Sequence, residues 1–168
     1  MPEAFEPREI LSALAEQRVE FVLIGGLAAT LHGSPHLTQD VDITPRREHD
    51  NLSRLSAALD GLGAKVRAAG VEGGLPFAHD ADSLGAVAVW NLTTPFGDLD
   101  ISFVPTGTTG FPDLTRDAVP ITVEGVDVRV ASLADIVRSK EAADRPKDHL
   151  TLPTLREILA RREMTPGT

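Results

Sequence analysis

Cysteine is absent from this 168-residue sequence, which excludes disulfides, thiolate metal sites and a cysteine nucleophile. Long apolar stretches are also absent, because the longest run, residues 21–31, is too short to span a bilayer and contains two glycines. The first residues carry neither the basic nor the apolar part of a signal peptide, so we expect a cytoplasmic protein with no membrane partner. The sequence has no Gly-x-Ser-x-Gly, phosphate-loop or dinucleotide-binding glycine motif.

Positive charge is scarce, with 16 basic against 25 acidic residues and a net charge of −9. This balance argues against a general nucleic-acid coat protein, because binding to a phosphate backbone needs a basic surface. From Arg138 onward the balance is reversed, with seven basic and five acidic residues. An acidic body with a mildly basic C-terminal segment favours a compact phosphate ligand over a long duplex.

Residue periodicity predicts alternating strands and helices, and therefore an α/β or α+β domain of ordinary size. We expect helices at residues 7–17, 27–32, 48–62, 132–143 and 147–162. We expect strands at residues 19–24, 40–43, 64–67, 86–92 and 98–103, and a hairpin at residues 121–130. The glycine-rich residues 70–83 and the stretch 105–117 are expected to be loops.

Residues 25–43 are the most informative part of the sequence. Asp40 and Asp42 alternate with Val41 and Ile43, so the two carboxylates project from one face of a strand, roughly 6.5–7 Å apart. Such a pair can hold a divalent cation such as Mg²⁺, which prefers oxygen ligands. The Gly25-Gly26 turn before a helix can bring backbone amides close to phosphate oxygens. Taken singly, an Asp-x-Asp is more often a solvated strand face, and Gly-Gly more often a simple turn.

His32 and His36 suggest a rival metal site, because residues four apart share a helix face. Pro35 disfavours a continuous helix through both histidines, so a zinc site is the weaker interpretation. We expect His32 to pack in the core or to line a pocket beside the glycine turn. Trp90 and Phe96 are expected in the core rather than as base-stacking platforms.

The same stretch resembles the core motif of the nucleotidyltransferase superfamily, in which a strand ends in Gly-Gly, a short helix ends in His-Gly, and Thr-x-Asp-x-Asp follows. Within it, the sequence is most similar to the bacterial AbiEii-like and related small nucleotidyltransferase families, some of whose members are toxins of toxin–antitoxin pairs. The resemblance covers most of residues 19–159. It implies a mixed sheet flanked by helices, forming one nucleotidyltransferase-like domain over residues 1–168 with a helical segment at about 132–162. Relatives often carry an arginine shortly before the aspartates, where this chain has Pro35-His36.

The resemblance also implies a third carboxylate on a later strand. Asp100 is the first candidate because it sits between two apolar residues, and Asp98 on the same face is the second. Lys140 would reach a triphosphate, and Asp148 would tie an Arg-x-Lys-Asp turn to a helix N-terminus. The implied catalytic and metal-binding residues are Asp40, Asp42 and Asp100, and the implied nucleotide-binding residues are Gly25, Gly26 and Lys140.

The implied activity is transfer of a nucleoside monophosphate from a nucleoside triphosphate to an acceptor hydroxyl, with Mg²⁺ or Mn²⁺ as cofactor. The acceptor could be an RNA 3′ end such as that of tRNA, a protein, or a small molecule such as an aminoglycoside. The acidic body argues against RNA. One alternative is a non-catalytic nucleotide- or partner-binding module of the same fold, such as a toxin–antitoxin component. Another is a scaffold whose acidic loops form a protein interface.

Overall fold

In the computed structural model, which describes residues 4–165, eight strands form one mixed sheet that seven helices accompany. The strands are β1 (Phe21–Ile24), β2 (Asp40–Pro45), β3 (Lys65–Ala68), β4 (Val71–Leu75), β5 (Val89–Thr94), β6 (Gly97–Ser102), β7 (Val119–Val123) and β8 (Val126–Val130). The helices are α1 (Pro7–Glu16), α2 (Gly25–Leu31), α3 (His49–Leu62), α4 (Ala81–Gly85), α5 (Phe111–Asp117), α6 (Leu133–Ala143) and α7 (Pro146–Met164). This architecture confirms the predicted mixed sheet flanked by helices.

The sheet order is β4-β3-β5-β6-β2-β1-β8-β7. Strand β2 lies near the centre, antiparallel to β1 and parallel to β6. In the parallel pair, Asp42 lies opposite Asp100 and Asp40 lies opposite Asp98. Strand β1 is parallel to β8, with Leu23 opposite Val130. The chain therefore brings residues from distant parts of the sequence to the middle of one sheet.

The core lies on the sheet face opposite the aspartates of β2. Val41 and Ile43 are fully buried, and their alternation with the aspartates gives β2 one apolar and one acidic face. Helix α1 buries Ile10, Leu11 and Leu14 at helical spacing, and α3 buries a matching leucine stripe. Packing one face against these helices leaves the acidic face of β2 free to line a site.

Two predicted loops contain regular structure. Within residues 70–83, β4 forms an edge strand through Gly73 and Gly74, whose positive φ angles of 78° and 80° accompany an irregular register with β3. The short helix α4 then begins at Asp80, whose side chain accepts a hydrogen bond from the Ser83 amide. The prediction of a loop here was wrong, because glycine lowers strand propensity without preventing pairing at a sheet edge.

The second predicted loop, residues 105–117, contains helix α5. Pro112 occupies the first turn, where a missing amide hydrogen costs nothing, and Gly110 precedes the helix with a φ of 94°. The glycines and prolines that suggested a loop are therefore boundary residues of a short helix. None of the helices in residues 4–165 is both long and apolar enough to cross a membrane.

Candidate functional site

Three carboxylates converge on the acidic face of the sheet. Asp40 and Asp42 come from β2 and Asp100 from β6, and each offers an oxygen within 4.8 Å of the others. The convergence follows from the parallel register of β2 and β6, which places Asp42 beside Asp100. All three side chains are half-buried. We call this group the carboxylate triad.

Negative charge in the triad is poorly compensated by the protein. Burial, and then the charges of Asp40 and Asp100, raise the pKa of Asp42 to about 7. Burial also raises the pKa of Asp100, although the guanidinium of Arg67 opposes this change. A cluster of this kind favours a bound proton or a cation, and a divalent metal ion is the partner that oxygen ligands at this spacing suit best.

The Gly25-Gly26 turn lies directly against the triad. Gly25 begins α2 with a φ of 73°, and a Cβ atom built there would lie 2.3 Å from Asp42 Oδ2. A Cβ at Gly26 would lie 2.9 Å from Thr38 Oγ1, and this hydroxyl donates a 2.7 Å hydrogen bond to Asp40 Oδ1. Only glycine at position 25 lets the backbone approach the carboxylate this closely. Thr38 orients Asp40 within the triad.

Arg67 contacts both candidates for the third carboxylate. Its guanidinium lies 2.8 Å from Asp100 Oδ1 and 3.3 Å from Asp98 Oδ2. Asp100 is a member of the triad, whereas Asp98 lies two residues earlier on β6, is more exposed and is not a member. The geometry therefore places Asp100, and not Asp98, beside Asp42.

Cations from the C-terminal segment line the same cavity as the triad. Arg145 and Lys147 lie near enough for their charges to oppose the rise in the pKa of Asp42. Lys140 on α6 has its Nζ 3.4 Å from Asp148 Oδ1. Asp148 itself is fully buried and accepts hydrogen bonds from the backbone and side chain of Arg145, so it ties the turn to the start of α7.

One cavity of about 720 Å³ contains every residue of the predicted site. The triad, the glycine turn, α6 and the start of α7 all contribute to its lining. The predicted residues on its surface are Gly25, Gly26, Asp40, Asp42, Asp100 and Lys140. Their placement agrees with a shared site, and their roles in binding and catalysis stay predictions.

The histidine pair does not form a metal site. His32 is buried, its Nε2 lies 2.8 Å from the carbonyl oxygen of Ala131, and its Nδ1 lies 2.9 Å from a guanidinium nitrogen of Arg162. Burial lowers the pKa of His32, and the charge of Arg162 lowers it further. Because both ring nitrogens have protein partners, His32 is a neutral core histidine that holds the end of α7. His36 lines the cavity, whereas His32 does not.

Several residues of the cavity were not predicted from the sequence. They are Thr38, Arg67, Arg145 and Lys147. Thr38 and the two cations of the Arg-x-Lys-Asp turn lie inside motifs that the sequence analysis recognised, so their polar or charged side chains could have identified them as site residues. No sequence feature identified Arg67, because it reaches Asp100 only through the pairing of β3 with β5 and of β5 with β6.

The sequence matches no profile of a known protein family and none of the curated proteins compared with it. Solved structures do match. The lincosamide antibiotic adenylyltransferase LnuA superposes with a TM-score of 0.60 at 16% identity, over 94% of this chain and 99% of its own. The antibiotic-resistance factor ANT(2″)-Ia gives a TM-score of 0.55 at 16% identity, over 92% of this chain and 81% of its own. An assigned nucleotidyltransferase of Thermotoga maritima gives 0.51 at 20% identity, over 95% and 98%.

These likenesses define the fold class. The chain has the nucleotidyltransferase fold, as the sequence motif predicted. At identities of 16–20% the comparison establishes the fold alone, and the activity must be inferred from the site.

Proposed function

We propose that this protein is a metal-dependent nucleotidyltransferase that moves a nucleoside monophosphate from a nucleoside triphosphate to an acceptor hydroxyl. The observation that carries the proposal is the convergence of Asp40, Asp42 and Asp100 within 4.8 Å, in a cavity that cations of the C-terminal segment also line. The carboxylates suit a metal ion and the cations suit phosphate, as a metal–triphosphate complex requires.

The residues present fit a divalent metal ion. Burial, and then the neighbouring charges of Asp40 and Asp100, raise the pKa of Asp42, a carboxylate that a cation would stabilise, and the carboxylate oxygens are hard ligands. Asp40, Asp42 and Asp100 would hold Mg²⁺ or Mn²⁺. When bound, the metal would supply neutralisation of the charge on the transferring phosphoryl group and on the departing pyrophosphate.

The remaining roles belong to residues of the chain. The amides of Gly25 and Gly26 approach phosphate oxygens closely, because neither residue has a side chain to prevent it. Lys140, Arg145 and Lys147, which line the same cavity, would bind and orient the triphosphate tail. This arrangement holds the α-phosphate near the triad.

Asp100 would act as general base. Its carboxylate lies beside Asp42 in the triad, where it could take the proton of an acceptor hydroxyl. The acceptor oxygen then bonds to the α-phosphorus while the bond to the bridging oxygen of the β-phosphate breaks. The proton remains on Asp100, and pyrophosphate leaves.

The acceptor is a narrower question. LnuA was solved with lincomycin, and ANT(2″)-Ia with adenylyl-2″-tobramycin, so these neighbours bind small antibiotics or their adenylyl product. A small-molecule hydroxyl is accordingly one acceptor class for this protein, beside a protein side chain and the 3′ end of an RNA such as tRNA. A role in a toxin–antitoxin pair would fit a protein acceptor.

One observation favours the alternative, a non-catalytic nucleotide-binding or partner-binding module. Arg67 forms an ion pair with Asp100, the proposed base. A binding module could retain this pair permanently, whereas an enzyme must open it when metal and acceptor enter.

The deciding experiment measures transfer of label from α-labelled triphosphates, with Mg²⁺ or Mn²⁺, to bacterial RNA, lysate proteins and aminoglycosides. We expect transfer by the wild type and a loss of roughly 100-fold or more in Asp42→Asn, because several kcal/mol of charge stabilisation depend on the metal. Asp98→Asn is the matched control, since it removes the same charge from β6 outside the triad. Transfer that survives Asp42→Asn would overturn the mechanism, and triphosphate binding without transfer would favour the binding module.

A further inference from the structure

The guanidinium group of Arg67 links the backbone of β5 to the triad. One terminal nitrogen lies 2.8 Å from Asp100 Oδ1, and the other donates a 3.2 Å hydrogen bond to the carbonyl oxygen of Leu92. The second nitrogen also lies 3.3 Å from Asp98 Oδ2. Because the Leu92 carbonyl belongs to the backbone, it anchors the guanidinium whatever residue occupies position 98. A planar guanidinium that is anchored at one nitrogen has the direction of its other nitrogen fixed.

An irregularity in the pairing of β3 with β4 lies at Arg67. Between two consecutive pairs β3 advances by two residues and β4 by four, so three residues of β4 lie opposite Arg67 alone. One of them is Gly74, where a Cβ atom would lie 2.8 Å from the carbonyl oxygen of Val66. Irregular pairing of this kind redirects the side chain concerned. Strand β5 separates β3 from β6 by about 9–10 Å, and the long side chain of Arg67 spans that distance.

The two oxygens of Asp100 are in different environments. Oδ1, the oxygen beside Arg67, is buried and has almost no accessible surface. The Asp100 side chain as a whole is 19% exposed, and it lines the cavity. Its exposed surface therefore belongs to atoms other than Oδ1. Arg67 occupies one oxygen of this carboxylate, and Oδ2 is the oxygen left for a ligand in the cavity.

A second member of the triad is held in a similar way. Asp40 Oδ1 accepts the hydrogen bond from the Thr38 hydroxyl, which leaves Oδ2 for a further ligand. A carboxylate held at one oxygen cannot easily turn its other oxygen away from a metal ion, so less ordering is needed when the ion binds. Two of the three carboxylates thus have a partner in the chain that fixes their orientation.

We propose that Arg67 is a positioning residue of the metal site, which holds Oδ1 of Asp100 so that Oδ2 faces the metal ion bound by the triad. This inference rests on the proposed function, because it assigns a supporting role within the same site. A metal ion at Oδ2 leaves the ion pair closed. Only the later entry of an acceptor beside that ion requires Arg67 to release Oδ1, because the proposed base then needs its second oxygen.

Arg67→Lys separates orientation from charge. It keeps the positive charge, but a single nitrogen cannot hold the Leu92 carbonyl and Asp100 in the same fixed geometry. We expect calorimetry to give an Mn²⁺ affinity roughly tenfold to a hundredfold below that of the wild type, the usual loss when a group that orients a metal ligand is removed. Arg116→Lys is the matched control, because Arg116 pairs with Asp113 and does not line the cavity. It should keep the wild-type affinity.

Arg67→Gln removes orientation and charge together. Loss of a positive charge near the triad favours a bound cation, so this variant should bind Mn²⁺ more tightly than Arg67→Lys does. A different order would refute the proposal. If Arg67→Lys matches the wild type and Arg67→Gln binds more tightly than both, Arg67 acts only as a competing charge.

Action through Asp100 is tested in the Asp100→Asn background, where electron paramagnetic resonance of Mn²⁺ can follow the weaker binding expected. Arg67→Lys should cause little further loss there, less than about twofold, because the carboxylate that Arg67 holds is gone. The same fractional loss in both backgrounds would mean that the substitution distorts the site in general, and would overturn the inference.

The outcomes distinguish the two proposals. If the wild type and Arg67→Lys bind Mn²⁺ with equal affinity, the proposed function stands and the positioning role of Arg67 is refuted. If the wild type binds neither Mn²⁺ nor Mg²⁺, the proposed function fails, and the inference fails with it.

Discussion

Asp42 lines the cavity, whereas Asp148 is buried at the start of α7, and the protein treats the two carboxylates in opposite ways. Burial, reinforced by Asp40 and Asp100, raises the pKa of Asp42 to about 7. Burial would raise the pKa of Asp148 too, but hydrogen bonds from Arg145 and the charges of Arg145 and Lys140 outweigh it and lower that pKa. Asp148 is nevertheless the more deeply buried, with no exposed surface.

The difference shows that burial alone does not mark a functional acid. Asp148 receives its partners from the chain, so it fixes the turn between α6 and α7 and needs nothing from outside. Asp42 lies among carboxylates, and its partner has to be a proton or a cation from solvent. Substitutions near each aspartate should therefore change different properties of the protein.

The largest effect is expected from Gly25→Ala. The new Cβ would overlap Asp42 Oδ2 at 2.3 Å, so the carboxylate has to move away from the triad. We expect loss of Mn²⁺ binding by calorimetry and loss of transfer by roughly 100-fold or more. Gly63→Ala is the control, because Gly63 has a similar φ of 63° and open space around it. It should cost about 1 kcal/mol in stability and leave metal binding unchanged. Equal losses in both variants would mean that backbone strain, and not contact with Asp42, is responsible.

Asp148→Ala should act on stability. It would leave Lys140, whose side chain is 13% exposed, without its acidic partner, and breaking a buried pair typically costs about 3–5 kcal/mol. Chemical denaturation of the metal-free protein measures this loss. Glu157→Ala removes an exposed pair with Arg161 on the same helix and should cost less than about 0.5 kcal/mol. A small loss in Asp148→Ala would contradict a structural role for this acid.

The smallest effect is a pH dependence of opposite sign at the two acids. The folded pKa of Asp42, about 7, lies above its unfolded value, so its contribution favours folding at low pH and is lost as pH rises from about 4 to 7. The lowered pKa of Asp148 gives stability that is present above about pH 4 and is lost as pH falls further. With a chelator present to remove metal, the free energy of unfolding of Asp42→Asn should therefore exceed that of the wild type by roughly 2–4 kcal/mol at pH 8, and by little at pH 4.

Urea unfolding of both proteins at a series of pH values would test this difference. Added Mg²⁺ should reduce it, because the metal replaces the proton on Asp42. A stability difference that does not vary with pH would show that Asp42 is already neutralised by the protein.

The triad could be predicted because its signals are local. Asp40 and Asp42 alternate with buried residues within one strand, and Asp100 lies between Leu99 and Ile101 in another. Alternation fixes which face each side chain takes, and the family resemblance implied a third carboxylate on a later strand. The choice between Asp98 and Asp100 needed the register, because both lie on the same face.

Arg67 could not be predicted in the same way. It lies on a short strand that reaches the triad through an intervening strand, and nothing near it in sequence indicates an acidic partner. Its ion pair with Asp100 depends on contacts between distant segments, which a single sequence does not encode locally.

The contact between Arg162 and His32, which lie 130 positions apart, bears on how the protein is made. A ribosome releases the segment that carries the carboxylates, residues 40–100, well before Lys140, Arg145 and Lys147. Strand β1 also cannot pair with its neighbour β8 until residue 130 has been synthesised. A nascent chain therefore carries clustered negative charge before the lysines and arginine of the same cavity exist, and under the proposed function a nucleotide could bind only late in translation.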